Sequence, residues 1–133
     1  MILTEAEAAY LAGQPLGRLA TVSPDGMPQV NPVGFHYDPD LGVIDIGGHG
    51  LAASKKFRNV AAGSRAALVV DDLVSRQPWR VRGLEIRGDA ETLTGQDPLM
   101  PGFSPELIRI RPRRVISWGI EPGEQGMRGR DVS

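Results

Sequence analysis

Ser23-Pro24-Asp25-Gly26 lies between two runs of strand-forming residues and leaves the backbone a single course. Proline presets φ at the second turn position and glycine accepts a positive φ at the fourth, so the chain doubles back. Residues 17–22 and the return run 27–37 therefore pair as an antiparallel hairpin. Asp38-Pro39-Asp40-Leu41-Gly42 repeats the device and leads into a third short strand, 43–46. Three consecutive strands joined this tightly form a meander. The return strand carries Pro28 and Pro32, which cannot donate to a ladder, so part of it belongs at an edge or a bulge.

The rest of the chain continues the β pattern with short helical interruptions. Thr4-Glu5-Ala6-Glu7 has capping-box spacing and Gly13 is a natural stop, which predicts a helix over 5–12. After Gly47-Gly48-His49-Gly50, the residues Leu51, Phe57, Val60 and Ala61 fit one face of a helix over 51–62, and Lys55, Lys56 and Arg58 point elsewhere. Residues 65–71 (RAALVVD) read as a mostly buried strand. A loop containing Gln77-Pro78 precedes a long strand, 79–93, in which Leu84, Ile86 and Ala90 alternate with Glu85, Arg87, Asp89 and Glu91. Val81 falls in the opposite phase, which predicts a bulge at Gly83. Residues 96–105 are a Pro/Gly-rich loop. Residues 107–118 form a last strand or bent strand pair, with Ile108 and Ile110 on one face and Arg109 and Arg111 on the other. About six strands and one substantial helix suggest a mainly β fold, a small antiparallel barrel within residues 1–120. Residues 121–133 are poor in apolar groups and read as a flexible tail.

Composition narrows the chemistry. The absence of cysteine excludes disulfides, thiolate metal sites and a cysteine nucleophile. Two histidines argue against a multi-histidine metal site, and no metal is expected. A net charge of −1 gives no electrostatic reason to expect nucleic acid. No apolar run is long enough to span a membrane and no signal-like N-terminus is present, so the expected compartment is cytoplasmic.

Several clusters carry possible chemistry. Gly48-His49-Gly50-Leu51-Ala52-Ala53 matches GxGxxA between a strand and a helix, with Asp71 and Asp72 about twenty residues on, the dinucleotide-fold pattern. Against it stand the antiparallel meander and the shortness of the remaining chain; glycines that merely turn a strand into a helix are the plainer alternative. Ser54-Lys55-Lys56-Phe57-Arg58 places a hydroxyl and three cations at a helix start, suited to a phosphate or else a solvated helix face. Trp79 beside Arg80 and Arg82 is partial core or a wall for a planar ligand. Arg109, Arg111, Arg113 and Arg114 are an exposed strand face or an anion-binding wall. Neither His36 nor His49 is paired in sequence with a nucleophile, so the catalytic residues are left unknown.

Taken together, GRLATVSPDGMPQVNPVGFHYD (17–38), VIDIGG (43–48), SKKFRNVAAGSRAALVVDD (54–72), RVRGLEIRGDAETL (80–93) and IRIRPRRVISWGI (108–120) resemble the pyridoxamine 5'-phosphate oxidase-like split β-barrel proteins. The resemblance is greatest to the small actinobacterial branch that uses coenzyme F420. It covers about nine-tenths of the chain and specifies the cofactor class better than the substrate. It implies a six-stranded antiparallel split β-barrel, FMN-binding-like, that forms a homodimer with two cofactor sites at the subunit interface. The ring is then expected against Asn31, Pro32, Val33 and Gly34, with Ile46, Gly47 and Gly48 as neighbours. The phosphate is expected at Ser54 and Lys56 with Lys55 and Arg58 close, and Trp79 and Arg80 approach from the same chain or across the interface. Some relatives have arginine where Ser54 stands. The longer C-terminal extension of the true pyridoxamine-phosphate oxidases is lacking, so their activity is not expected. The implied function is an F420-dependent oxidoreductase that passes a hydride to a planar conjugated small molecule. The alternatives are an FMN-binding oxidoreductase of the same fold and a non-catalytic carrier or sensor. F420 carries a glutamate tail, for which the arginines at 109–114 and 128–130 are candidate partners.

Overall fold

The computed structural model describes residues 2–123 and 126–133. Among these, helix α1 (Glu5–Ala12) precedes the meander β1 (Gly17–Val22), β2 (Pro28–Asp38) and β3 (Val43–Gly47). A single 3-10 turn, Leu51–Ala53, and helix α2 (Lys55–Ala61) follow, then β4 (Ala66–Arg76), β5 (Trp79–Leu93), β6 (Leu107–Trp118) and β7 (Met127–Asp131). The predicted capping box forms: the Glu7 amide donates to Thr4 Oγ1 at 3.1 Å and the Thr4 amide to Glu7 Oε1 at 2.9 Å. Gly26 takes φ +89° in the first turn, and its amide donates to the Ser23 carbonyl at 2.8 Å.

All strand pairings are antiparallel, in the order β3-β2-β1-β4-β5-β6-β7, and β3 also pairs with β6. That extra pairing closes six strands into the split barrel. One edge of β6 is shared: residues 108–110 close on β3 and residues 114–118 pair with β7. Inward residues fill the barrel, among them Leu19, Ile44, Ile46, Leu68, Leu84, Ile86, Ile108, Ile110 and Val115. This is the alternation expected of strands with one dry face.

Four sequence expectations change. The segment 121–133 is not wholly tail: residues 127–131 form β7 on the free half-edge of β6. Arg130 anchors it there by a paired contact with the buried Glu7 carboxylate, which overrides a poorly apolar composition. Glu124 and Gln125 of that segment lie outside the described residues. The helix expected over 51–62 breaks at Ser54, which caps α2: its hydroxyl accepts from the Phe57 amide and donates to the Leu51 carbonyl at 2.6 Å. The strand expected to end at residue 71 runs to Arg76. Gly83 lies in unbroken register; the irregularities fall between Leu73 and Ser75 and opposite Arg87 and Gly88. Glycine is needed at 83 because a Cβ there would collide with the Trp118 ring.

Candidate functional site

Antiparallel pairing on both edges of β1 and β3 excludes the dinucleotide-fold alternative. Its two candidate ribose acids are engaged elsewhere. Asp72 accepts from Arg82 at 2.8 and 3.1 Å and from the Tyr10 hydroxyl at 2.8 Å. The Arg82 contact, aided by Tyr10, holds the Asp72 carboxyl below its ordinary range despite some desolvation; burial, then Asp72, pushes the Tyr10 hydroxyl up. Asp71 faces Arg18 at 3.4 Å.

The segment expected to meet a ring does not present one face. Successive strand residues point to opposite sides. Val33 and Ile46 are core side chains, available to a ligand only through backbone. Pro32 points outward with Val30, whereas Asn31 shares the inner side with Gln29. Gly34 and Gly47 are register partners roofed by the loop after β5. A Cβ on Gly47 would lie 2.8 Å from the Phe103 ring, so only glycine fits beneath it. The loop is fastened where β3 ends: the Ser104 amide and hydroxyl both donate to the Gly48 carbonyl at 3.0 Å, and His49 Nδ1 lies 2.8 Å from the Gly102 carbonyl. A cleft of about 380 Å³ lies between this loop and β2, lined by Gly34, His36, Leu99, Met100 and Phe103.

The start of α2 is a different environment. Among the described residues, Lys55, Lys56 and Arg58 have no carboxylate within 4 Å. Arg58 Nη1 donates to the Ala53 carbonyl at 2.6 Å, which fixes the guanidinium over the 3-10 turn. The first turn of the meander is beside it: the Asp25 carboxyl is held below its ordinary value by the Ser23 hydroxyl first, then by the Met27 amide, with a smaller contribution from the Lys55 charge. Ser54 lies here too, with its hydroxyl already used as the helix cap.

Trp79 and Arg80 lie at the tip of the β4–β5 hairpin, where Arg76 pairs with Trp79. Ten strand positions, about 33 Å, separate that tip from Ala66 just after α2. The residues lining its cleft of about 650 Å³ include Trp118, Met127 and Val81 and none from α2. One protomer therefore does not bring the hairpin and the helix cations together. Trp79 is 69% exposed and shares this cleft with the exposed Val74, Val81 and Met127, an apolar patch rather than a lone residue.

The arginines of β6 are not an open anion wall. Arg109 makes a two-bond contact with Asp45 at 2.8 and 3.0 Å, Arg111 with Glu91, Arg113 with Asp89 and Arg114 with Asp131. The signal was present in the sequence: folding 107–118 back on 79–93 lays the arginine row against Asp89 and Glu91.

Two functional candidates are invisible to spacing. Asn59, 1% exposed, donates from Nδ2 to Thr21 Oγ1 at 3.1 Å and to Gln29 Oε1 at 3.3 Å. Its Oδ1 is buried without a partner. Gln29 Nε2 then donates to Asn31 Oδ1 at 2.8 Å. Among the described residues, no three His, Asp or Glu side chains converge as metal ligands.

Residues 3–120 match the pyridoxamine 5'-phosphate oxidase family. The whole chain is 44% identical, over 135 aligned positions covering 95% of the relative, to a 5a,11a-dehydrotetracycline/5a,11a-dehydrooxytetracycline reductase of Streptomyces rimosus. An F420 reductase structure superposes with a TM-score of 0.63 at 27% identity, over 85% of this chain and 98% of that one. A conserved hypothetical protein of Mycobacterium tuberculosis shares the fold, with a TM-score of 0.67 at 22% identity over 95% and 94% of the two chains. The barrel closed by β3 on β6, the sequence match and these relatives agree: the chain belongs to the pyridoxamine 5'-phosphate oxidase family of split-barrel oxidoreductases.

Proposed function

We propose that the protein is a coenzyme F420-dependent reductase of a flat, conjugated polycyclic acceptor related to dehydrotetracycline. The observation that carries this reading is the 44% identity to the dehydrotetracycline reductase across the full length of this chain. The likeness to an F420 reductase supports the cofactor. The residues present suit such a group. Lys55, Lys56 and Arg58 meet no carboxylate among the described residues and would hold its phosphate, with Ser54 organising their helix start. Asn31 would meet the ring through its side chain, with the backbone of Pro32, Val33, Gly34, Ile46, Gly47 and Gly48 beside it. When bound, F420 supplies the hydride. The chain then has to bind, orient and exclude water, which fits a site with no obvious acid or base.

The reading includes a cytoplasmic homodimer. The outward face of β1, β2 and β4 exposes Val22 and Val30 and holds a cleft of about 400 Å³ lined by Ala20, Pro28 and Ala67. A second copy seated there offers Trp79 and Arg80 a route to the partner's helix cations, which one protomer lacks. FMN is the competing cofactor. Titration of purified protein with F420 and with FMN tests this directly. Tight F420 binding and turnover of a dehydrotetracycline-type enone with reduced F420 are expected. Binding of FMN alone would move the protein to the flavin enzymes, and binding of neither would overturn the reading.

A further inference from the structure

Gln29 and Asn59 lie in two stretches, DGMPQ and KKFRN, whose ends the proposed function leaves without a task. The fold joins them. Gln29 and Asn31 stand two apart on β2 and share the side that carries Thr21 and Leu19 across the β1–β2 ladder. Asn59 reaches that side from α2. The result is a chain of three amides, each donating to the next: Asn59 to Gln29 at 3.3 Å, then Gln29 to Asn31 at 2.8 Å.

A chain of amides has two polarities, and the buried end selects between them. In the observed sense both Nδ2 hydrogens of Asn59 are used, on Thr21 and on Gln29, and only its carbonyl oxygen is left without a partner. Reversal would bury both of those hydrogens with no acceptor. Unpaired buried donors are rarer and costlier than under-used carbonyls. The observed sense spends the Oδ1 of half-buried Asn31 on Gln29 and, among the described residues, leaves its Nδ2 hydrogens without an acceptor.

We propose that Asn59 and Gln29 are positioning residues that lock Asn31 as a hydrogen-bond donor toward the oxygen-bearing edge of a ring bound along β2. This rests on the functional reading above. It adds a selection rule: the ring atom that meets Asn31 must accept, as a carbonyl oxygen of a flavin or deazaflavin does, and a ring N–H placed at that point is rejected. The lock acts before any ligand arrives, so no reorientation accompanies binding.

The test uses the intact protein. Gln29→Glu replaces the relay's donor by an acceptor-only group, which still accepts from Asn59 but turns Asn31 Nδ2 inward and Oδ1 outward. Affinity for F420, or for FMN if that is the cofactor bound, should fall about tenfold. Asn31→Ala should cost about the same. The double variant should lose no more than Asn31→Ala alone, because Gln29 acts only through Asn31. Additive losses, or a Gln29→Glu affinity within about twofold of wild type, would overturn the proposal. Should Gln29→Glu fold poorly, Gln29→Met breaks the relay without charge and should cost about threefold, again only when Asn31 is present. Side-chain amide exchange by NMR on the ligand-free protein gives an independent readout. Asn59 hydrogens should be protected and Asn31 hydrogens exposed, and the opposite pattern would overturn the assigned polarity. Wild-type protein that binds neither cofactor, yet shows the protected Asn59, would overturn the functional reading and with it the ligand half of this proposal, whereas tight wild-type binding with an indifferent Gln29→Glu sinks only the relay.

Discussion

Two groups of cations differ in what stands opposite them. On β6, Arg109, Arg111, Arg113 and Arg114 each meet a carboxylate from β3, β5 or β7. At the start of α2, Lys55, Lys56 and Arg58 meet none among the described residues. A charge already neutralised by its own fold has little left for an external anion, and a charge without a partner keeps its full attraction. Arginine density alone thus marks a strand whose cations already have carboxylate partners.

The largest effect expected lies at the barrel seam. Arg109 and Asp45 are register partners where β6 closes on β3, and Asp45 is 5% exposed. Arg109→Leu leaves a buried, unpaired carboxylate and should cost about 3–5 kcal/mol in a denaturant titration. Arg109→Lys should recover part of it. Affinity for the cofactor, measured below the unfolding transition, should hold. A fall in affinity with stability intact would place Arg109 among the ligand's cations and erase the distinction between the two groups.

The second effect lies where Arg130 on β7 meets the buried Glu7 carboxylate of α1. Burial would raise the Glu7 carboxyl, but hydrogen bonds from Arg130 and the Thr4 amide, with the Arg130 charge, hold it below its ordinary value of 4.5. A group lowered in the folded state stabilises above its unfolded value and loses that contribution as pH falls through the folded one. Glu7→Gln should therefore cost about 2–3 kcal/mol near neutral pH, and its deficit should shrink once pH drops below 4.5. A deficit that stays constant down to pH 3 would show that packing, not the ion pair, holds β7 in place.

These two contacts also mark where the sequence stopped being readable. The meander, the long strand 79–93 and the last strand were legible because turn residues and alternation are local signals. Strand β7 was not, because its anchor is a glutamate more than a hundred positions away. The cations at 54–58 were legible as a cluster. The amide chain through Asn59 was not, since its members sit on α2 and β2 and meet only after α2 has docked. The ring segment misled for a simpler reason: four consecutive strand residues look like one site in a line of letters, but alternation sends Val33 to the core and Pro32 to the surface.

At α2 the consequence should fall on binding and not on folding. Lys56→Ala removes an ammonium that meets no carboxylate among the described residues and should weaken cofactor affinity by about 1.5–3 kcal/mol. Melting of the cofactor-free protein should move little, because no ion pair among the described residues depends on that charge. Unchanged affinity, checked by fluorescence titration, would remove α2 from the site.

The smallest effect should come from the combined Arg111→Gln, Arg113→Gln and Arg114→Gln variant. Their partners Glu91, Asp89 and Asp131 are themselves 41%, 46% and 86% exposed. Exposed pairs of this kind contribute little each and are screened by salt. Stability should fall slightly, and less at high salt than at low. The affinities for F420 and FMN should both stay within about twofold of wild type, since each arginine gives up a carboxylate of its own chain and not a ligand. The outcome that would break this expectation is specific: F420 affinity falls, FMN affinity holds, and the loss grows as salt is lowered. Only F420 carries a glutamate tail, so that pattern would mean the arginines exchange their carboxylates for those of the tail. Pairing within the fold would then mark a charge on loan to the ligand, and β6 would rejoin α2 as part of one extended anion site.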